Sequence, residues 1–180
     1  MRIISGSRRG HKLLEFDGMD IRPTTDRVRE NVFNLICDYV YDSNVLDLFG
    51  GSGALSFEAL SRGARFSTIC DIDQKSLDIV KKNAEKLDLL EYIKMNHIGF
   101  DKFLETTNDK FDIIFLDPPY NKGFIKPCID LIIKNEILTE DGIIVLESDS
   151  IDEHGEFLPL TIKKQKKYGR SYVTVYTRGE

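Results

Sequence analysis

The chain has 180 residues, a formal net charge of −5 and 41% hydrophobic residues, which suits one soluble globular domain. Its longest apolar runs, such as Phe111 to Leu116 with Asp112 inside it, fall far short of the roughly 20 residues that span a bilayer. The charged start MRIISGSRRG has no apolar export region, and Cys37, Cys70 and Cys128 lack the spacing of a zinc site or disulfide framework. A reduced cytosolic protein without a metal is therefore expected.

Charge is unevenly spread. Residues 1–12 carry four Lys/Arg and no acid, and residues 161–180 carry six against Glu180. Residues 101–160 carry 14 acids against five bases. Salt screens charges beyond about 8–10 Å, so a polyanion responds to the basic ends rather than to the total.

In chain order, Arg2–Ser5 and Lys12–Phe16 are strand candidates around a basic turn, Gly6–Gly10. Pro23-Thr24-Thr25-Asp26 supplies a stop and a side-chain cap and opens a helix. Its apolar stripe is Val28, Val32, Leu35, Ile36 and Tyr39. Residues 1–43 are thus expected to form a hairpin and helix packed on a core of residues 44–180. Short runs rich in Val, Ile and Phe follow at Asn44–Phe49, Ser67–Cys70, Tyr92–Met95, Phe111–Leu116 and Gly142–Glu147. Helical stretches separate them, clearest over 74–87, where Leu77, Val80, Ala84 and Leu87 share a face. That alternation predicts an α/β fold with a mainly parallel sheet covered on both sides. Leu160–Tyr168, Gly169-Arg170 and Ser171–Thr177 read as a closing β-hairpin, an antiparallel pair at the end of the sheet.

Three signals mark the ends of core strands. The first is Asp47-Leu48-Phe49-Gly50-Gly51-Ser52-Gly53, where glycines let a ligand lie against backbone and a helix start offers free amides. The dinucleotide pattern fails because Ser56 stands where a third glycine is required. The Asp47 carboxylate would also repel a pyrophosphate, but it suits a ligand with a positive amino group, such as S-adenosylmethionine. Second, Asp71-Ile72-Asp73 ends the next strand about 20 residues on, where an acid accepts from ribose hydroxyls. Asp71 is the ribose candidate, Ile72 can lie on the adenine face, and Asp73 is the expected cap of the next helix.

The third signal is Asp117-Pro118-Pro119-Tyr120, after the fourth core strand. The Asp117 carboxylate and Pro118 carbonyl can bind both hydrogens of an exocyclic amino group and turn its lone pair out of conjugation. Proline offers no competing amide donor. Tyr120 presents a π-face for an extruded base, worth roughly 1–3 kcal/mol.

With these motifs, residues 44–120 resemble a class I S-adenosylmethionine-dependent methyltransferase that acts on amino groups. Arg2-Ile3-Ile4-Ser5-Gly6, Arg8-Arg9-Gly10, Lys12-Leu13 and Arg22 through Glu30 resemble the N-terminal signature of the RsmD family. Together with Gly51 through Leu55 and the DPPY motif, the likeness runs essentially end to end. It implies a Rossmann-like, seven-stranded mixed sheet with an antiparallel last strand and a small N-terminal hairpin and helix. The implied reaction is methylation of the N2 amino group of one guanine in 16S rRNA, within a protein-bound small subunit or assembly intermediate. Cofactor contacts are then expected from Asp47, Phe49, Gly51, Gly53, Asp71, Ile72 and Phe100. Asp117, Pro118 and Tyr120 are the expected catalytic set, and Arg8, Arg9, Lys12 and Arg27 the RNA contacts. One departure stands out: Gly99 occupies the place of the usual adenine acceptor, leaving backbone at Gly99 or Phe100, or the Asp101 side chain, to serve.

Two rivals stand beside this reading. DNA adenine-N6 methyltransferases use the same DPPY chemistry, but 180 residues leave little room for a target-recognition domain. A non-catalytic RNA-binding module would lack cofactor affinity. His11, His97 and His154 have no metal-ligand spacing, and Glu58 reads as structural.

Overall fold

The computed structural model describes residues 1–16, 26–119 and 122–179. Its strands are β1 (Asn44–Asp47), β2 (Phe66–Asp71), β3 (Ile93–His97), β4 (Phe111–Leu116), β5 (Leu138–Ser148), β6 (Leu160–Tyr168) and β7 (Ser171–Arg178). They form one sheet in the order β3-β2-β1-β4-β5-β7-β6. The first five are parallel, and β7 runs antiparallel to both neighbours. Both faces are covered, which is why β1, β2, β4 and the second half of β5 read as apolar runs rather than alternating ones.

On one face Val45, Ile69, Phe115, Val145 and Val173 join a core with side chains of α1 (Asp26–Leu35), α3 (Ala54–Ser61) and α4 (Gln74–Leu87). On the other, Leu46, Ile114, Leu146 and Tyr176 pack against α5 (Phe100–Thr106) and α6 (Ile125–Lys134). The α4 stripe is buried as its spacing predicts, and the Asp73 carboxylate caps the helix by accepting from the Lys75 amide. The first helix ends earlier than its stripe implies: Ile36 leaves helical geometry, and a short α2 (Cys37–Val40) follows. Besides Val32, α1 buries Arg29 and Phe33, with the Phe33 ring 5.7 Å from that of Phe115.

The N-terminal strands shrink to a single antiparallel bridge between Arg2 and Lys12. Flat pairing gives way because the segment is pressed onto α3. Gly6, at φ +86°, lies so close that a Cβ there would fall 1.8 Å from the Ser61 carbonyl oxygen. Glu58 is the anchor. Fully buried on α3, it accepts from the amides of Ile4 (2.8 Å) and Ser5 (3.1 Å) and from Arg62 Nε (2.7 Å), with Arg29 Nε at 3.6 Å. Asn83 of α4 is a second tie. It exchanges hydrogen bonds with the Leu14 backbone and donates to the Ser52 carbonyl at 3.1 Å. Arg8 Nε donates to the Leu87 carbonyl at 2.7 Å, closing the last turn of α4.

Candidate active site

The registers set the geometry of the sheet's carboxyl edge. Asp47 is level with Ile69 on one neighbour and Phe115 on the other, so Asp71 and Asp117 each lie two residues beyond it, on strands flanking β1. They stand about 10 Å apart, two interstrand spacings, with the glycine turn between them.

That turn is held from both sides. Gly50 donates to the Cys70 carbonyl at 2.9 Å, and Gly51 donates to Asp71 Oδ2 at 2.9 Å. Asp71 Oδ1 accepts from the Asp73 amide at 2.8 Å. Gly53 adopts φ +78°, and a Cβ there would meet the Phe57 ring at 2.6 Å, so glycine is needed for both conformation and space. Asp47 lies under the turn, 2% exposed. It accepts from Ser56 Oγ at 2.9 Å, and Ser67 Oγ donates on to Ser56 at 3.0 Å. Burial pushes the Asp47 carboxyl up to about 6; the Ser56 hydrogen bond partly offsets this, and the Asp71 charge adds to it. Ser56, which breaks the dinucleotide pattern, is therefore the hydroxyl that satisfies a buried acid. Its place one helical turn past the glycines was the available signal.

Ile72 is 76% exposed beside Asp71, an apolar surface open to a ligand. The His97 Nε2 donates to the Ile72 carbonyl at 2.9 Å and pins that loop. Gly99 lies next to it: a Cβ there would meet Asp101 Oδ1 at 2.8 Å and Ile72 Cγ2 at 3.6 Å. Phe49 and Phe100, both half-buried, come together with centroids 5.7 Å apart. Phe124, which the sequence reading did not single out, packs against both at 6.2 and 5.2 Å. Phe49 of the turn, Phe100 at the start of α5 and Phe124 just before α6 thus meet beside the glycines.

Asp117 is partly exposed at the end of β4, Pro118 is buried and Pro119 exposed. Tyr120 lies outside the described residues, as do Arg22 through Thr25. Arg9, Lys12 and Arg27 are exposed, whereas Arg8 is half-buried against α4. Arg8 and Arg9 occupy a turn bonded to Ser61 and Leu87, the last residues of α3 and α4, and so lie toward the amino edge of the sheet. The structure does not bring them to Asp117. Among the described residues no group of His, Cys, Asp and Glu converges as metal ligands would, and no helix is long and apolar enough to cross a membrane.

The family described as conserved hypothetical protein 95 matches residues 1–177. The chain belongs to this family, the RsmD family. Ribosomal RNA small subunit methyltransferase D of Escherichia coli (strain K12) is 38% identical over 149 residues, covering 83% of this chain and 75% of that one. YlbH of Bacillus subtilis (strain 168) is 38% identical over 182 residues and 99% of each chain. The solved structure of YhhF from Escherichia coli superposes with a TM-score of 0.88 at 32% identity, covering 100% of this chain and 98% of that one. The fold is shared with a putative SAM-dependent methyltransferase from Streptococcus mutans, at a TM-score of 0.68 and 19% identity, covering 83% of this chain and 47% of that one.

Proposed function

We propose that the protein transfers a methyl group from S-adenosylmethionine to the N2 amino group of a guanine in 16S rRNA. The observation that carries this reading is the placement of Asp71 and Asp117 on either side of one glycine turn. One acid serves a ribose and the other an amino group, about 10 Å apart. Small-subunit rRNA methylation by named relatives supports the substrate class.

The site fits the cofactor. Asp71 has spare lone pairs beside its two backbone bonds, Ile72 offers an apolar face, and Gly51 and Gly53 let a ligand approach the backbone. Phe49 and Phe100 close the adjoining side, and Asp47 supplies negative charge beneath the turn, where an ammonium group would lie. When bound, the sulfonium supplies a methyl group already activated for direct transfer. This chain's task is then positioning and charge. Asp117 and the Pro118 carbonyl accept the two amino hydrogens, so the nitrogen lone pair is presented outward. Tyr120 stacks on the extruded base. Asp117 holds the proton released as the new N–C bond forms, then passes it to water. Arg9, Lys12 and Arg27 offer phosphate contacts along the N-terminal element, in a cytoplasmic reaction on protein-bound RNA.

The deciding experiment incubates the protein with labelled cofactor and small subunits lacking the modification, then maps the methylated nucleoside by mass spectrometry. N2-methylguanosine in 16S rRNA is the expected product. Methyladenosine would transfer the reading to adenine chemistry, and no product would end it.

A further inference from the structure

The strand order brings the β6–β7 turn to the edge that carries Asp117. Ser148, at the carboxyl end of β5, is paired with Tyr172, and Tyr168 is paired with Ser171. The turn between them, Gly169-Arg170, therefore projects from the same edge as the ends of β1, β2 and β4. Three interstrand spacings separate β6 from β4, about 14 Å. Residues 157–179 carry six Lys/Arg and no acid.

Those six bases divide by position. Lys164 Nζ donates to the Leu35 carbonyl at 2.7 Å, Lys163 bonds to the Tyr39 hydroxyl, and Arg178 donates to the Leu138 carbonyl at 2.7 Å. These three fasten β6 and β7 to the fold. Lys166, Lys167 and Arg170 are exposed and nearer the turn, and none forms an ion pair with a carboxylate among the described residues. Lys167 Nζ lies 4.9 Å from the centre of the Tyr172 ring. Cations interleaved with an aromatic ring, on the edge where a base is to be presented, suit a strand with phosphates and stackable bases.

We propose that the β6–β7 turn grips RNA flanking the target nucleotide, with Lys167 and Arg170 on phosphates and Tyr172 as a stacking surface. This rests on the RNA-methylating reading above and adds a contact surface that the N-terminal basic segment does not provide at this edge. Binding is carried by the turn, and chemistry by the residues at the end of β4.

The test compares Lys167→Ala with Arg170→Ala in one chain against Lys94→Ala with Lys110→Ala, which removes equal charge at the amino edge. Each is titrated with small subunits lacking the modification, and separately with protein-free 16S rRNA, over a range of salt. The turn variant should lose about tenfold or more in affinity and about 1.4–1.8 in the logarithmic salt slope, from two lost phosphate contacts. Its S-adenosylmethionine affinity should not change, and the amino-edge variant should bind as wild type does. Equal binding by the turn variant and wild type, or equal loss by both variants, overturns the proposal while leaving methylation untouched. Where the wild type binds protein-free rRNA, a defect seen on assembled subunits but not on that rRNA also overturns it, because the turn would then touch ribosomal protein. Failure of the wild type to bind small subunits lacking the modification removes the functional reading and this proposal with it.

Discussion

The Asp71 carboxylate receives the Gly51 amide at 2.9 Å. A residue expected to hold the ribose thus also holds the turn on which the rest of the ligand would lie. Asp71→Ala should weaken S-adenosylmethionine binding by roughly 1.5–3 kcal/mol, the scale of hydrogen bonds to a charged group. Asp71→Asn keeps one acceptor oxygen and should fall between. Calorimetric titration of both variants checks this. Unchanged affinity would move the ribose role to Asp73 or remove it.

Asp117→Ala should leave cofactor affinity largely intact and slow single-turnover methylation by about 10²-fold or more, as losses of single transition-state-stabilising groups do. Asp117→Asn retains an acceptor without the charge and should be intermediate. Tyr120→Ala should lose mainly RNA affinity and Tyr120→Phe little, since stacking needs the ring and not the hydroxyl. Near wild-type turnover by Asp117→Ala would sink the assignment.

Glu58→Ala removes the acceptor for two backbone amides and the buried carboxylate beside Arg29, whose guanidinium keeps only the part-exposed Asp26 at 2.9 Å. Breaking a buried ion pair costs about 3–5 kcal/mol, so denaturant unfolding should show a loss of that size. Glu58→Gln keeps an acceptor for one amide and should lose less. A loss below about 1 kcal/mol in Glu58→Ala would mean that the N-terminal segment is held elsewhere.

Two buried groups give opposite pH dependences. Asp47 binds its proton more tightly in the folded protein, at about 6 against a usual 3.8. Its contribution is therefore complete below 3.8 and lost as pH rises through about 6, amounting to about 3 kcal/mol. His154 is 6% exposed between Ser148 and Thr174, and burial lowers it to about 4. Its contribution is present above its usual 6.5 and lost as pH falls toward 4. Between pH 4 and 6 the two partly cancel. Asp47→Asn should make stability climb more steeply with pH across that window, and His154→Gln should make it fall. Urea unfolding at several pH values measures both slopes, and parallel curves for wild type and Asp47→Asn would contradict the raised carboxyl.

The elements that read most clearly in the sequence are those whose environment is uniform. The α4 stripe and β4 match their predicted spans because each meets a continuous apolar surface. By contrast, β5 begins at Leu138 and not Gly142: Leu138 pairs with Phe111, and the polar Thr139, Glu140 and Asp141 fall in the register irregularity before Ile143 pairs with Ile113. Leu48 and Phe49, apolar enough to extend β1, belong instead to the glycine turn. Arg29 was illegible as a core residue because it is charged, and Asp26 beside it on α1, at 2.9 Å, reads as an ordinary surface pair, whereas the buried Glu58 at 3.6 Å comes from a different helix. Asp71 and Asp117 could be read because each closes a run of residues with strand character. Phe124 could not, because its neighbours Phe49 and Phe100 meet it only through the fold.

The Asn83 amide bonds the Leu14 backbone and the Ser52 carbonyl at once. One side chain thus mortars the start of the chain to the glycine turn. A shortened protein lacking its first 14 residues would lose four Lys/Arg and, in the same cut, a brace of the glycine turn. Impaired methylation by such a truncation would say little about RNA recognition until its cofactor affinity had been measured alongside.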